Sequence, residues 1–130
     1  MIKGLKKINF YGGCAFLTFF IISGIYLIAK VKDDNDNDNY VHMSGRANHI
    51  YLLLITLLNI IYGRIHMSSS LLSLATRLLM LISGIFVVFG FFKETGSSLE
   101  DRIIIPTSIG FAFLSVVLFM FNEKNKFKKI

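Results

Sequence analysis

Four apolar stretches follow one another along this chain, separated by short polar runs: residues 10–29, 45–63, 71–92 and 103–121. Crossing a hydrocarbon core of ~30 Å takes about 20 helical residues at ~1.5 Å each, so each stretch is of membrane-spanning length. The first carries no charge between Lys7 and Lys30, the third is broken only by Arg77, and Pro106 in the fourth falls where a first helical turn tolerates it. The pattern predicts an all-α protein with four transmembrane helices in an up-down arrangement, one domain over residues 1–130. A basic start followed by an apolar run also describes a signal peptide. This run exceeds a usual signal core, however, and no A-x-A-like cleavage site follows it, so a retained first helix is expected.

The second stretch differs from the others. Between Tyr40 and Met67 the chain places all three histidines, Arg46, Arg64, Asn48 and Asn59 among leucines and isoleucines. On a helix His42, His49, Thr56 and Gly63 recur every seven residues and drift only ~20° per step. Asn48, Asn59 and His66 lie within about a quadrant of that line, while Ile50, Leu54, Leu57, Leu58 and Ile61 take the opposite side. Polar groups facing lipid would cost several kcal/mol each, so the stripe is expected to face protein or a water-filled cavity.

Composition agrees with lipid as the solvent. Of 130 residues, 54% are hydrophobic and 17% charged, more apolar surface than a soluble domain of this length can bury. The net charge of +6 does not point to nucleic acid, because the basic residues cluster at the two ends and read as orientation. The amino end, the loop between helices two and three (with Arg77) and the carboxyl tail hold nine Lys/Arg and one acid, Glu123; the other two loops hold five Lys/Arg and seven acids. That asymmetry predicts a multi-pass membrane location with both termini cytoplasmic. The second and third stretches are joined by a short connection, which makes antiparallel neighbours.

Candidate chemistry is sparse. The run Lys32–Asn39 alternates Asp34, Asp36 and Asp38 like the start of a calcium loop, but Asn39 stands where the loop glycine belongs and Gly45 where the bidentate Glu belongs. The lone Cys14 excludes paired-cysteine redox chemistry, and no phosphate loop, H-E-x-x-H or Ser/His/Asp set is indicated. All histidines fall on one helix, whereas bis-histidine haem needs imidazoles on opposite porphyrin faces, so no metal, cofactor or catalytic residue is expected. Acids occur only in loops or at ends, so a proton-coupled exporter lacks its buried carboxylate. Arg46 is expected in an outer ion-pair cluster with Glu94, Glu100, Asp101 and Arg102, and Arg77 either to snorkel toward inner phosphates or to join a packed face.

The leading expectation is an accessory, assembly or structural subunit whose partners are the bilayer and other membrane helices, or copies of itself. A ligand- or cofactor-handling protein is the alternative, with a site near Arg46, Asn48 and His49 at the outer face; Asn59 and Arg102 are the further candidate ligand-binding or interaction residues. A homo-oligomeric small transporter or channel is the third reading.

Overall fold

The computed structural model describes residues 2–33, 39–67, 70–95 and 101–127. These form four α-helices: α1 Ile2–Asp33, α2 Asn39–Arg64, α3 Leu71–Glu94 and α4 Ile104–Phe127. Three of them contain segments long and apolar enough to cross a membrane, Gly4–Ala29, Leu71–Glu94 and Ile104–Asn122, and α2 is not among them. The Asp34–Asp38 run and Glu100 lie outside the described residues, as does the side chain of His42.

The helices outrun the apolar stretches that predicted them. α1 extends back through the basic start, α2 begins six residues before Gly45, and α4 continues through the charged tail to Phe127. Lys and Glu are good helix formers, and nothing at those ends breaks a helix, so the end of apolar character does not end the helix. α3 starts at a built cap: Ser70 is extended, and its hydroxyl accepts from the Ser73 amide at 3.2 Å.

Sequence neighbours pack antiparallel. The start of α1 meets the end of α2 through Asn9 and Asn59, and α2 and α3 meet likewise through Asn48 and Thr95 at the opposite end. α3 and α4 pair through Thr76 with Ser115 and Ser83 with Ser108. α2 and α3 each touch all three other helices, whereas α1 and α4 do not touch one another among the described residues. The centre of the fold is therefore the α2–α3 pair.

The buried positions of α3 are Ser73, Thr76, Arg77, Met80, Ser83, Gly84, Val87, Gly90, Phe91 and Glu94. They follow a near-3.5 period, which is the seam of a left-handed helix pair. Ile105, Ser108, Ala112, Ser115 and Asn122 continue the same period on α4. Small residues along this seam let the backbones approach, and the hydroxyls tie them together. Ser83 Oγ donates to the Ser108 carbonyl at 2.8 Å and Ser108 Oγ donates to the Ser83 carbonyl at 2.9 Å, while Ser115 reaches the Thr76 carbonyl at 2.8 Å.

The polar stripe of α2 turns inward. Asn48, Thr56 and Asn59 are fully buried and Gly63 is buried, while Ile50, Leu54, Leu57 and Ile61 are exposed. Leu58 departs from expectation, since it packs against the core rather than facing out. The close approach to α1 depends on glycine at two crossings. A Cβ on Gly13 would sit 2.8 Å from the Ile60 backbone nitrogen, and one on Gly63 would sit 2.5 Å from the Phe10 Cα. Backbone cannot retreat as a side-chain tip can. Gly63→Leu is therefore expected to split α1 from α2 and to cost on the order of 3 kcal/mol, the upper range for overpacking. Leu57→Phe, on an exposed position, should stay within about 0.5 kcal/mol. Thermal unfolding of both variants in one detergent checks this, and equal sensitivity would mean that the α2 faces are wrongly assigned.

Candidate functional site

The residues singled out in the sequence divide between two levels of the molecule. Near the start of α2, Arg46 is exposed, Asn48 is buried and His49 is half-buried. Arg102 is half-buried in the connection entering α4, at the end of α3 and α4 that Asn48 also meets. Asn59 lies eleven residues further along α2, ~16 Å away, and belongs to a different group.

Asn48 and His49 do not converge on a shared point. Successive helical residues project ~100° apart. Asn48 accordingly faces α3, where its Nδ2 donates to Thr95 Oγ1 at 3.3 Å. His49 faces α1 instead, stacked on Phe20 at 3.9 Å between ring centroids with planes 15° apart. Its Nδ1 is 3.3 Å from Ser23 Oγ, and its Nε2 stands over Gly24, where a Cβ would come within 3.0 Å. Glycine thus makes the room that the imidazole occupies. One polar atom here is left over: Asn48 Oδ1 is buried with no hydrogen-bond partner among the described residues.

Asn59 sits in a connected buried group. Its Nδ2 donates to the carbonyls of Ile55 at 3.1 Å and Met80 at 3.0 Å. Asn9 Nδ2 donates to Asn59 Oδ1 and to the Arg77 carbonyl, both at 3.1 Å. Two amides therefore bind α1, α2 and α3 at one level, using carbonyl lone pairs that the helices leave spare. This is a tie between helices, and both Nδ2 groups are spent on it.

The charges inside α3 correct one expectation, that for Glu94, and decide between the two given for Arg77. Glu94 does not stand in a solvated outer cluster with Arg46: it is 3% exposed, and its carboxylate accepts from the backbone amides of Ile103, Ile104 and Ile105. The free amides at the start of a helix carry partial positive charge, so the carboxylate caps α4. Arg77 does not snorkel out: it is 1% exposed and donates to the carbonyls of Tyr62 and Ile65 at the end of α2. There the helix end carries partial negative charge, and the guanidinium fork is shaped to reach two acceptors. α3 thus carries a buried cation near one end and a buried anion at the other, each neutralised by the terminus of a neighbouring helix.

The sequence reading passed over Asn9, the Glu94 cap and the α3–α4 hydroxyl seam. A signal existed for the first and the last. Asn9 is a lone amide at the edge of an apolar run, and Ser73, Thr76, Ser83 and Gly90 keep near-3.5 spacing in an otherwise greasy helix. Among the described residues, no three His, Cys, Asp or Glu side chains stand close enough together to hold a metal ion. No protein family, curated protein or solved structure matches the chain.

Proposed function

We propose that this chain is a four-pass integral membrane protein, with both termini in the cytoplasm, that serves as an accessory or assembly subunit for other membrane helices. The observation that carries the reading is an inverted distribution of polarity. The interior holds Asn9, Asn48, Asn59, Arg77, Ser83 and Ser108, all at most 1% exposed, whereas Ile28, Phe89, Phe92 and Phe113 are each at least 66% exposed. Water would select the opposite arrangement, and lipid accepts this one.

The low hydropathy of α2 does not count against a fourth span. Hydropathy averages every face of a helix, while lipid meets only the outer one. With 26 residues α2 has the length, and Ser44, Asn48, Thr56 and Asn59 along it are buried, while Arg46 and Arg64 stand near its two ends. Asn9, Asn59, Arg77, Ser83, Ser108 and Ser115 bond across to other helices, and the outward apolar faces are the surface open to a partner. Gly110 adds an open notch there: a Cβ on it would meet nothing within 4 Å, and exposed Ile109, Phe113 and Leu114 surround it.

The test is topological. In a Cys14→Ser background, Asp36→Cys should react with an impermeant thiol reagent in intact cells and Lys126→Cys should not. The reverse pattern would invert the orientation, and release of the chain from membranes by alkaline carbonate would end the four-pass reading.

The unpartnered Asn48 Oδ1 favours a second reading, a ligand held at the outer end by Asn48 with His49, Arg46 and Arg102 around it. His49→Leu separates the two. A subunit with a structural His49 should lose only ~0.6–2 kcal/mol of stability and still complement a deletion. A ligand-holding His49 should leave a folded, stable chain that fails to complement.

A further inference from the structure

The geometry points to a binding site for the phosphate of an anionic lipid headgroup in a groove between the start of α1 and the end of α2. The groove has a volume of about 590 Å³ and is open to the surrounding medium. Its walls carry Lys6 and Lys7 from α1 and Arg64 from α2, with His66 just beyond, and no acid lines it among the described residues. Its floor is the crossing where Gly63 lets the Phe10 backbone come close, so the two helices meet at the base and their side chains splay apart above.

Three features make this more than a scatter of surface charge. Arg64 is held in place, its guanidinium carbon 4.5 Å from the centroid of the Phe10 ring, which leaves its N–H edge for a ligand. A helix carboxyl end ordinarily repels anions, but here the buried Arg77 occupies the Tyr62 and Ile65 carbonyls, so the negative end of α2 is neutralised beside the groove. The surface around the groove is also suited to a lipid rather than to a free anion. Tyr11 lines the groove and is 67% exposed, and Ile8, one turn before it on α1, and Ile61, one turn before Arg64 on α2, are exposed apolar residues that acyl chains can cover. Aromatic residues at the level of headgroups and basic pockets between helices are how membrane proteins select anionic lipids.

The inference rests on the membrane reading, and carbonate extraction reports separately on that. Full-length protein would be reconstituted into phosphatidylcholine vesicles containing a minor fraction of phosphatidylglycerol, re-extracted in neutral detergent, and its retained lipid counted by native mass spectrometry. Retention of phosphatidylglycerol over phosphatidylcholine by about tenfold is expected, falling to near parity in Lys6→Gln/Lys7→Gln/Arg64→Gln. Phe10→Leu, which keeps every charge but frees Arg64, should lose about two- to threefold. The control is Lys124→Gln/Lys126→Gln/Lys128→Gln, which removes the same charge from the tail and should change little. Equal loss in the control would assign the effect to diffuse charge and overturn the site, as would unchanged retention in the groove variant. Release of the lipid by inorganic phosphate alone would make the ligand a soluble anion and overturn the lipid assignment.

Discussion

Replacing Glu94 by alanine should free the amino end of α4 and destabilise the protein by about 3 kcal/mol, since buried amides that lose a charged acceptor cost ~1–3 kcal/mol each and water can recover part of that at a helix end. The carboxylate takes three consecutive amides, two at 2.7 and 2.9 Å from Ile103 and Ile105. The cap is supplied by the preceding helix across its connection, so α3 and α4 are joined by it as well as by the chain. Glu94→Gln keeps one acceptor oxygen and loses the charge, and should fall between wild type and alanine. Hydrogen exchange localises the effect. The Ile105 amide, buried in the folded protein, should exchange much faster in Glu94→Ala while amides in the middle of α2 stay protected. A melting temperature unchanged in Glu94→Ala would mean that water or another group caps α4.

Arg77→Met should be comparably damaging, by about 2–4 kcal/mol, because two hydrogen bonds from a charged donor are lost at ~1.5–3 kcal/mol each and the desolvation cost of the guanidinium is recovered in part. Arg77→Lys should rescue incompletely, since a single ammonium cannot reproduce the fork that reaches Tyr62 and Ile65 together. Arg77→Glu should fail to fold, because it sets a buried negative charge against the negative end of α2. Detergent thermal unfolding of the three variants gives the order. If methionine equals arginine in stability, the guanidinium is not a structural cap. The consequence would reach beyond the fold, because the neutralised end of α2 is also what suits the neighbouring basic groove to an anion.

These two residues show where reading the chain by itself stops. Charge in an apolar helix is visible at once, but its partner is not. Arg77 and Glu94 are bonded to backbone groups, and every residue of the chain has those, so no residue type in the sequence marks the acceptor or the donors. Only the packing of α3 against the ends of α2 and α4 brings them together. Sequence points to side chains of opposite sign as the partners of Glu94, whereas the start of α4 supplies positive charge through its amides.

The four helices and the inward polar side of α2 were legible from the chain alone. Apolar run length and a seven-residue recurrence of His49, Thr56 and Gly63 are local properties, set by the pitch of a helix and the cost of exposing polar groups to lipid. Helix ends were not legible, because Lys, Glu and Asn side chains end an apolar run without ending the backbone hydrogen bonding. Tertiary structure also decided what each polar residue does. Asn48 and His49 are neighbours in sequence and looked like one site, yet the ~100° step between them sends one to Thr95 on α3 and the other to Phe20 and Ser23 on α1. Asn59, a candidate ligand-binding or interaction residue in the sequence, is the tie to Asn9 some fifty residues earlier, because Gly13 and Gly63 allow α1 and α2 to approach closely enough for two amides to meet. A helix repeats its own geometry and so can be read from one segment, whereas contacts between helices depend on which faces are left after every segment has been placed.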